Sequence, residues 1–155
     1  EWIGALVDFG NNISLLENPY ELADALAPFA FGSHVKDMGV QEYQDGFLLS
    51  EVPLGEGILD LPRIVAILRK ANPQIRLSLE MMTRDPLKIP CLTQNYYATF
   101  VNRNSARLAE TLALVKSHAA AKLPHTTGLN AEQRLKFEDE NVRKCVEWAR
   151  SHFSN

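Results

Sequence analysis

A chain of 155 residues is the size of one ordinary domain, and 46% hydrophobic with 23% charged residues is the composition of a folded globular protein, not of a disordered tail. A net charge of -3 offers no nucleic-acid-binding surface, and no apolar run is long enough to cross a bilayer, so neither nucleic acid nor membrane is expected as a partner. The chain opens at Glu1-Trp2-Ile3 without a basic, apolar leader, so a targeting signal is absent or lies on preceding sequence, and a cytoplasmic location is expected. Cys91 and Cys145 stand far apart and outside any metal-type spacing, which reads as two free thiols.

The first element is the short apolar run Trp2 to Val7, the pattern of a strand buried on both faces, with Asn11-Asn12 beginning the turn after it. Glu17-Asn18-Pro19 then starts a helix carrying Leu22, Ala23 and Leu26, which Pro28 ends. Phe31 to Lys36 is the second strand. A long polar loop through Gly39, Asp45-Gly46 and Gly55-Glu56-Gly57 follows and stops at Asp60. Asp60 can cap a helix whose Leu61, Ile64, Val65 and Leu68 fall at i, i+3, i+4 and i+7, with Pro62 tolerated in its first turn. Asn72-Pro73 breaks that helix, and Arg76 to Glu80 is the third strand.

Strand, helix, strand, helix, strand argues a parallel sheet with right-handed crossovers. The stretch from Asp85-Pro86-Leu87 to Tyr96-Tyr97 is too long for a plain connection and is a candidate lid or interface. A helix is expected over Ala106 to Ala121, with Leu108, Leu112 and Val115 at helical spacing, and Leu123-Pro124 marks a change of segment. In the last stretch Asn130 is a cap, and Leu135, Val142, Cys145, Val146, Ala149 and Phe153 form one stripe that should dock on the body of the protein.

Three ionisable residues share one place in this pattern. Asp8, His34 and Glu80 each lie at or near the C-terminal end of an apolar run. In a parallel α/β barrel the active site is built from the C-terminal strand ends, so the two carboxylates and the imidazole would converge as ligands for a hard or borderline divalent cation.

Val7-Asp8-Phe9-Gly10-Asn11, Ser33-His34-Val35-Lys36-Asp37, Leu54-Gly55-Glu56-Gly57 with Asp60, and Leu79-Glu80 occur in an order and at spacings that resemble the sugar phosphate isomerase/epimerase family, the xylose isomerase-like TIM barrels. The similarity covers residues 1 to about 120. It implies that Asp8, His34 and Glu80 match a strand-6 Asp, a strand-7 His and a strand-8 Glu, three of four ligands to one divalent metal ion (Mn, Mg, Co or Zn). The fourth, a strand-5 Glu, is not in this sequence. The implied fold is a (β/α)8 barrel of which this chain supplies strands 6 to 8. Residues 1–123 would be the C-terminal part of the barrel and 124–155 a helical extension packed on it. A complete barrel needs about 250 residues, so its N-terminal part would have to come from elsewhere.

The implied chemistry is isomerisation or epimerisation of a sugar, keto-sugar or related polyol through an enediolate, with Glu80 as both ligand and acid/base. The same scaffold in related proteins also serves lyase chemistry, so a keto-glycoside lyase, dehydratase or decarboxylase is the alternative. An endonuclease IV-like phosphodiesterase is another, although Asn11 and Glu51 stand where its additional ligands would be expected and the charge of -3 opposes DNA binding. A non-catalytic carbohydrate-binding barrel is a third, and a homo-oligomer is compatible with all of them.

Substrate contacts are expected from Asn11, Lys36 and Arg84. Each has a plainer role beside it. Asn11 reaches a substrate hydroxyl or shapes the turn after the first strand; Lys36 meets an oxyanion or stays solvated; Arg84 anchors a carboxylate or phosphate or makes a surface salt bridge. Gly55-Glu56-Gly57 looks like a phosphate-cradling loop, but a tight turn ahead of the Asp60 cap is the better reading. His118, His125 and His152 are expected on the surface.

Overall fold

The computed structural model describes residues 3–101 and 104–153. In chain order these carry β1 (Ala5–Asp8), α1 (Pro19–Leu26), β2 (Ala30–Val35), β3 (Asp37–Tyr43), β4 (Gly46–Val52), α2 (Leu61–Ala71), β5 (Arg76–Leu79), β6 (Leu87–Ile89), α3 (Ser105–Ser117) and α4 (Ala131–Phe153). Trp2, expected in the first strand, lies outside the described residues.

The strands form two three-stranded sheets, and this overturns the barrel section expected from the motif order. One sheet is parallel, in the order β1-β2-β5; the other is antiparallel, in the order β3-β4-β6. The chain does not run through consecutive barrel strands, because the segment read as a long polar loop is a hairpin. Asp37 pairs with Val52 and Tyr43 with Gly46 across a tight turn, and β6, from the stretch read as a lid, adds to β4 by pairing Ile89 with Phe47. Burial of Val40, Phe47 and Leu49, all at most 4% exposed, holds the hairpin in the core.

Helix boundaries follow local chemistry. Asn18 accepts the N–H groups of Tyr20 and Glu21, and Asp60 accepts that of Arg63, so α1 and α2 start at their capping residues with Pro in the first turn. Leu61, Ile64, Val65 and Leu68 are all buried, as their spacing predicts. For α3 the expected end at Ala121 is too late. The helix stops at Ser117 because Ala119 bridges to Val40 and the Ala120 N–H donates to the Val40 carbonyl at 2.8 Å, which draws the chain onto β3. At the start of α4, Asn130 and Gln133 exchange reciprocal side-chain-to-backbone bonds of 2.9 Å, a capping box. Its docked face runs through Asn141, Cys145 and Trp148, whereas Leu135, expected in the stripe, is 72% exposed. No helix of the described residues is long and apolar enough to cross a membrane.

The parallel sheet is not buried on both faces. Val7 and Val35 join Ala23, Ile64 and Leu68 in the core. Register places Leu6, Asp8, Gly32, His34, Arg76 and Ser78 on the opposite face, where Leu6 is 57% exposed. Among the described residues β1 and β5 each pair on one side only.

Candidate metal centre

Asp8 ends β1, His34 is its register partner on β2, and Glu80 follows β5 directly, its N–H donating to the Val35 carbonyl at 2.9 Å. Three adjacent parallel strands therefore deliver Asp8, His34 and Glu80 to one point at their C-terminal ends, the place where open parallel sheets bind ligands. One donor atom from each residue lies within 4.8 Å of the others. His34 Nδ1 stands 2.8 Å from Glu80 Oε2 and 3.8 Å from Asp8 Oδ2.

Lys36, two residues beyond His34, projects into the same group with only 1% of its side chain exposed. Its Nζ lies 3.0 Å from Asp8 Oδ1, 2.9 Å from Glu80 Oε2 and 4.0 Å from Glu51 Oε1, and it donates to Asn11 Oδ1 at 3.3 Å. Asn11 closes the ring by donating to Asp8 Oδ2 at 2.8 Å. Burial by itself pushes the Glu80 carboxyl up, but the Lys36 ammonium and the His34 ring outweigh it and hold the group below the usual glutamate value.

Glu51 enters the sequence reading only at a ligand position of the endonuclease alternative, and that reading misses its pairing with Lys36. It is 2% exposed on β4, accepts the Met82 N–H at 2.5 Å and lies 3.4 Å from the Arg84 guanidinium. Burial raises its carboxyl above the ordinary range, against the opposing pull of Lys36, the Met82 N–H and Arg84. Only the hairpin brings this carboxylate to Lys36. The signal available in the sequence was Asp45-Gly46 between Val40 and Phe47-Leu48-Leu49, a turn dipeptide between apolar runs. Arg84, half-exposed, is engaged with Glu51 beside the centre.

A divalent ion fits the donors present. Asp8 Oδ1, His34 Nδ1 and Glu80 Oε2 are buried atoms without a hydrogen bond of acceptable geometry, so their close approaches to one another and to Lys36 are electrostatic, not directed bonds. They are held by ion pairs alone, which leaves their hydrogen-bonding capacity open to a further partner. Two bonds of at most about 2.6 Å span about 5.2 Å, which covers the 4.8 Å within which one donor atom from each of the three residues lies. Two carboxylates and an imidazole suit Mn, Mg, Co or Zn. Counting Glu51 and Arg84, three carboxylates face two cationic side chains, which leaves negative charge to attract a cation.

Gly55-Glu56-Gly57 is a turn wrapped on Asp37. The N–H groups of Gly55 and Gly57 donate to Asp37 Oδ2 and those of Met38 and Leu59 to Oδ1, at 2.8 to 3.1 Å, so they are spent on an internal carboxylate. His125 sits 3.6 Å from Asp85, His118 bonds back to its own helix, and His152 stacks on Trp148; none reaches the centre. Comparison with protein-family models, with curated proteins and with solved structures gives no match, so the reading of this centre rests on its residues.

Proposed function

We propose that the protein is a divalent-metal-dependent isomerase or epimerase of a sugar, keto-sugar or related polyol, akin in its chemistry to the sugar phosphate isomerases and epimerases whose motifs it resembles. The observation that carries this reading is the set of three buried, unbonded donor atoms of Asp8, His34 and Glu80 at the C-terminal ends of three parallel strands. A divalent ion held there supplies Lewis-acid stabilisation to negative charge developing on a carbonyl oxygen and the neighbouring hydroxyl oxygen.

The chain's own groups do the rest. Glu80, held below the usual glutamate value by Lys36 and His34, takes the proton from the hydroxyl-bearing carbon next to the carbonyl and returns it to the former carbonyl carbon of the enediolate, which isomerises the sugar. Epimerisation would need a second acid on the opposite face, the role the resemblance gives to the strand-5 Glu that is not in this sequence. Lys36 sets the Asp8 and Glu80 carboxylates in place. Asn11, bonded to both Asp8 and Lys36, fixes the rim. The open sheet face beyond Asp8 and His34 leaves room for a polar substrate.

The test is solvent deuterium exchange at the acidic carbon of a panel of keto-sugars, measured beside metal content. Glu80→Gln keeps an oxygen for the ion and loses the proton carrier, so exchange collapses while metal content falls less. His34→Ala loses metal and exchange together. Exchange at near-native rate in metal-loaded Glu80→Gln would reduce Glu80 to a ligand and favour the lyase reading, in which the same deprotonated carbon expels a neighbouring group. No exchange on any keto-sugar with metal bound would overturn the isomerase assignment.

A further inference from the structure

The oxygens that Lys36 contacts are among those a metal ion would take. Nζ lies 3.0 Å from Asp8 Oδ1 and 2.9 Å from Glu80 Oε2, both buried atoms of the ligand set. An ammonium and a divalent cation cannot both sit within bonding distance of the same two oxygens without strong repulsion. Lys36 is also 1% exposed, so it cannot retreat into water, and a buried ammonium must keep an anionic neighbour. One such neighbour lies outside the ligand set. Glu51, 2% exposed, places Oε1 4.0 Å from Nζ and is itself fixed by the Met82 N–H and by Arg84.

We propose that Lys36 is a positioning residue that competes with the metal ion for Asp8 and Glu80, and that Glu51 is the counter-charge that draws its ammonium aside. The inference rests on the metal reading above and adds to it a device that sets metal affinity. With its competitor in place the centre takes up metal less tightly than its ligand set alone would. Glu51 moderates this by offering Nζ a second anionic position. The device also keeps the two carboxylates from repelling each other, because the ammonium lies between them.

Removing Lys36 and removing Glu51 should therefore shift metal affinity in opposite directions. Titration calorimetry with Mn(II) alone, on the full chain, should show Lys36→Met binding at least about tenfold more tightly than wild type, and Glu51→Gln about tenfold more weakly. Glu51→Gln also removes a nearby negative charge, and the double variant separates the two effects. If Glu51 acts through Lys36, Glu51→Gln has no effect in the Lys36→Met background; if it acts directly on the ion, the loss persists.

Thermal melts give a second readout. In chelator, Lys36→Met melts lower than wild type because Asp8 and Glu80 lose their shared counter-ion, and Mn(II) raises its melting temperature by more than it raises that of wild type. If Lys36→Met does not fold, Lys36→Gln takes its place in the single and the double variant, and unaltered or tighter binding by Glu51→Gln overturns the proposal in either case. The proposal is equally overturned if Lys36→Met binds no tighter or the Glu51→Gln loss persists in the double variant. Absence of Mn(II) binding by wild type overturns the metal reading and this inference with it, whereas wild-type binding without the opposed shifts overturns the inference alone.

Discussion

Gly57 donates its N–H to Asp37 Oδ2 at 2.9 Å, and a Cβ added to that glycine would fall 2.1 Å from Asp37 Oδ1. The turn that leads into α2 is thus built around a fully buried carboxylate that accepts four backbone N–H groups. Burial raises the Asp37 carboxyl and the four donors oppose the rise.

Asp37→Asn is expected to destabilise the fold by about 2–4 kcal/mol, because the amide nitrogen would face N–H groups that have no other acceptor. Gly57→Ala should cost at least about 1–3 kcal/mol, since the atoms in its way are the Asp37 carboxylate and the Met38 backbone nitrogen, not a flexible side-chain end. Urea unfolding checks both: the midpoint should fall with the slope unchanged. The two losses should be less than additive, because each variant breaks the same cradle.

Asp85 gives a pH dependence with a definite sign. The Thr127 hydroxyl, then the N–H groups of Thr127 and Thr126, hold its carboxyl down at about 2, below the ordinary 3.8. A depressed folded-state pKa adds stability that is present above the unfolded value and lost as pH falls through the folded one. The tie between Asp85 and Thr126-Thr127 should therefore hold at pH 5 and release between about pH 4 and pH 2. Amide exchange at Thr126 and Thr127 should accelerate across that window in wild type. In Asp85→Asn it should be fast throughout.

Both thiols are buried, Cys91 and Cys145 at 0% exposure, and burial raises each above its ordinary value. A neutral, enclosed thiol is a poor nucleophile. Ellman's reagent should react slowly with the native protein and rapidly after denaturation. Fast reaction at one thiol before unfolding would show that α4, which places Cys145 Sγ 3.4 Å from the Leu54 N–H, opens locally.

Asp8, His34 and Glu80 were legible because a polar residue closing an apolar run marks a strand end, and parallel strands bring such ends together. Asn18, Asp60 and Asn130 were legible for a similar local reason, each being a side chain that caps its own helix. The hairpin was not. Its strands are buried on both faces through Asp37 to Val40 and from Leu49 to Val52, so the alternation that betrays a half-exposed strand is missing. With the hairpin went Glu51, whose burial and pairing with Lys36 depend on the register of β3 against β4. The barrel was implied by the motif resemblance, but the β-α-β order and donor placement in which those motifs lie are shared by any parallel sheet with crossovers, and the antiparallel sheet falls outside that pattern.

Pulsed EPR on the Mn(II)-loaded protein tests the central claim most directly, because electron spin-echo modulation reports nitrogen bound to the ion. The account predicts modulation from one imidazole, lost in His34→Gln and kept when His118, His125 or His152 is replaced. A wild-type spectrum without imidazole modulation, or modulation that survives His34→Gln, would contradict a centre built from Asp8, His34 and Glu80.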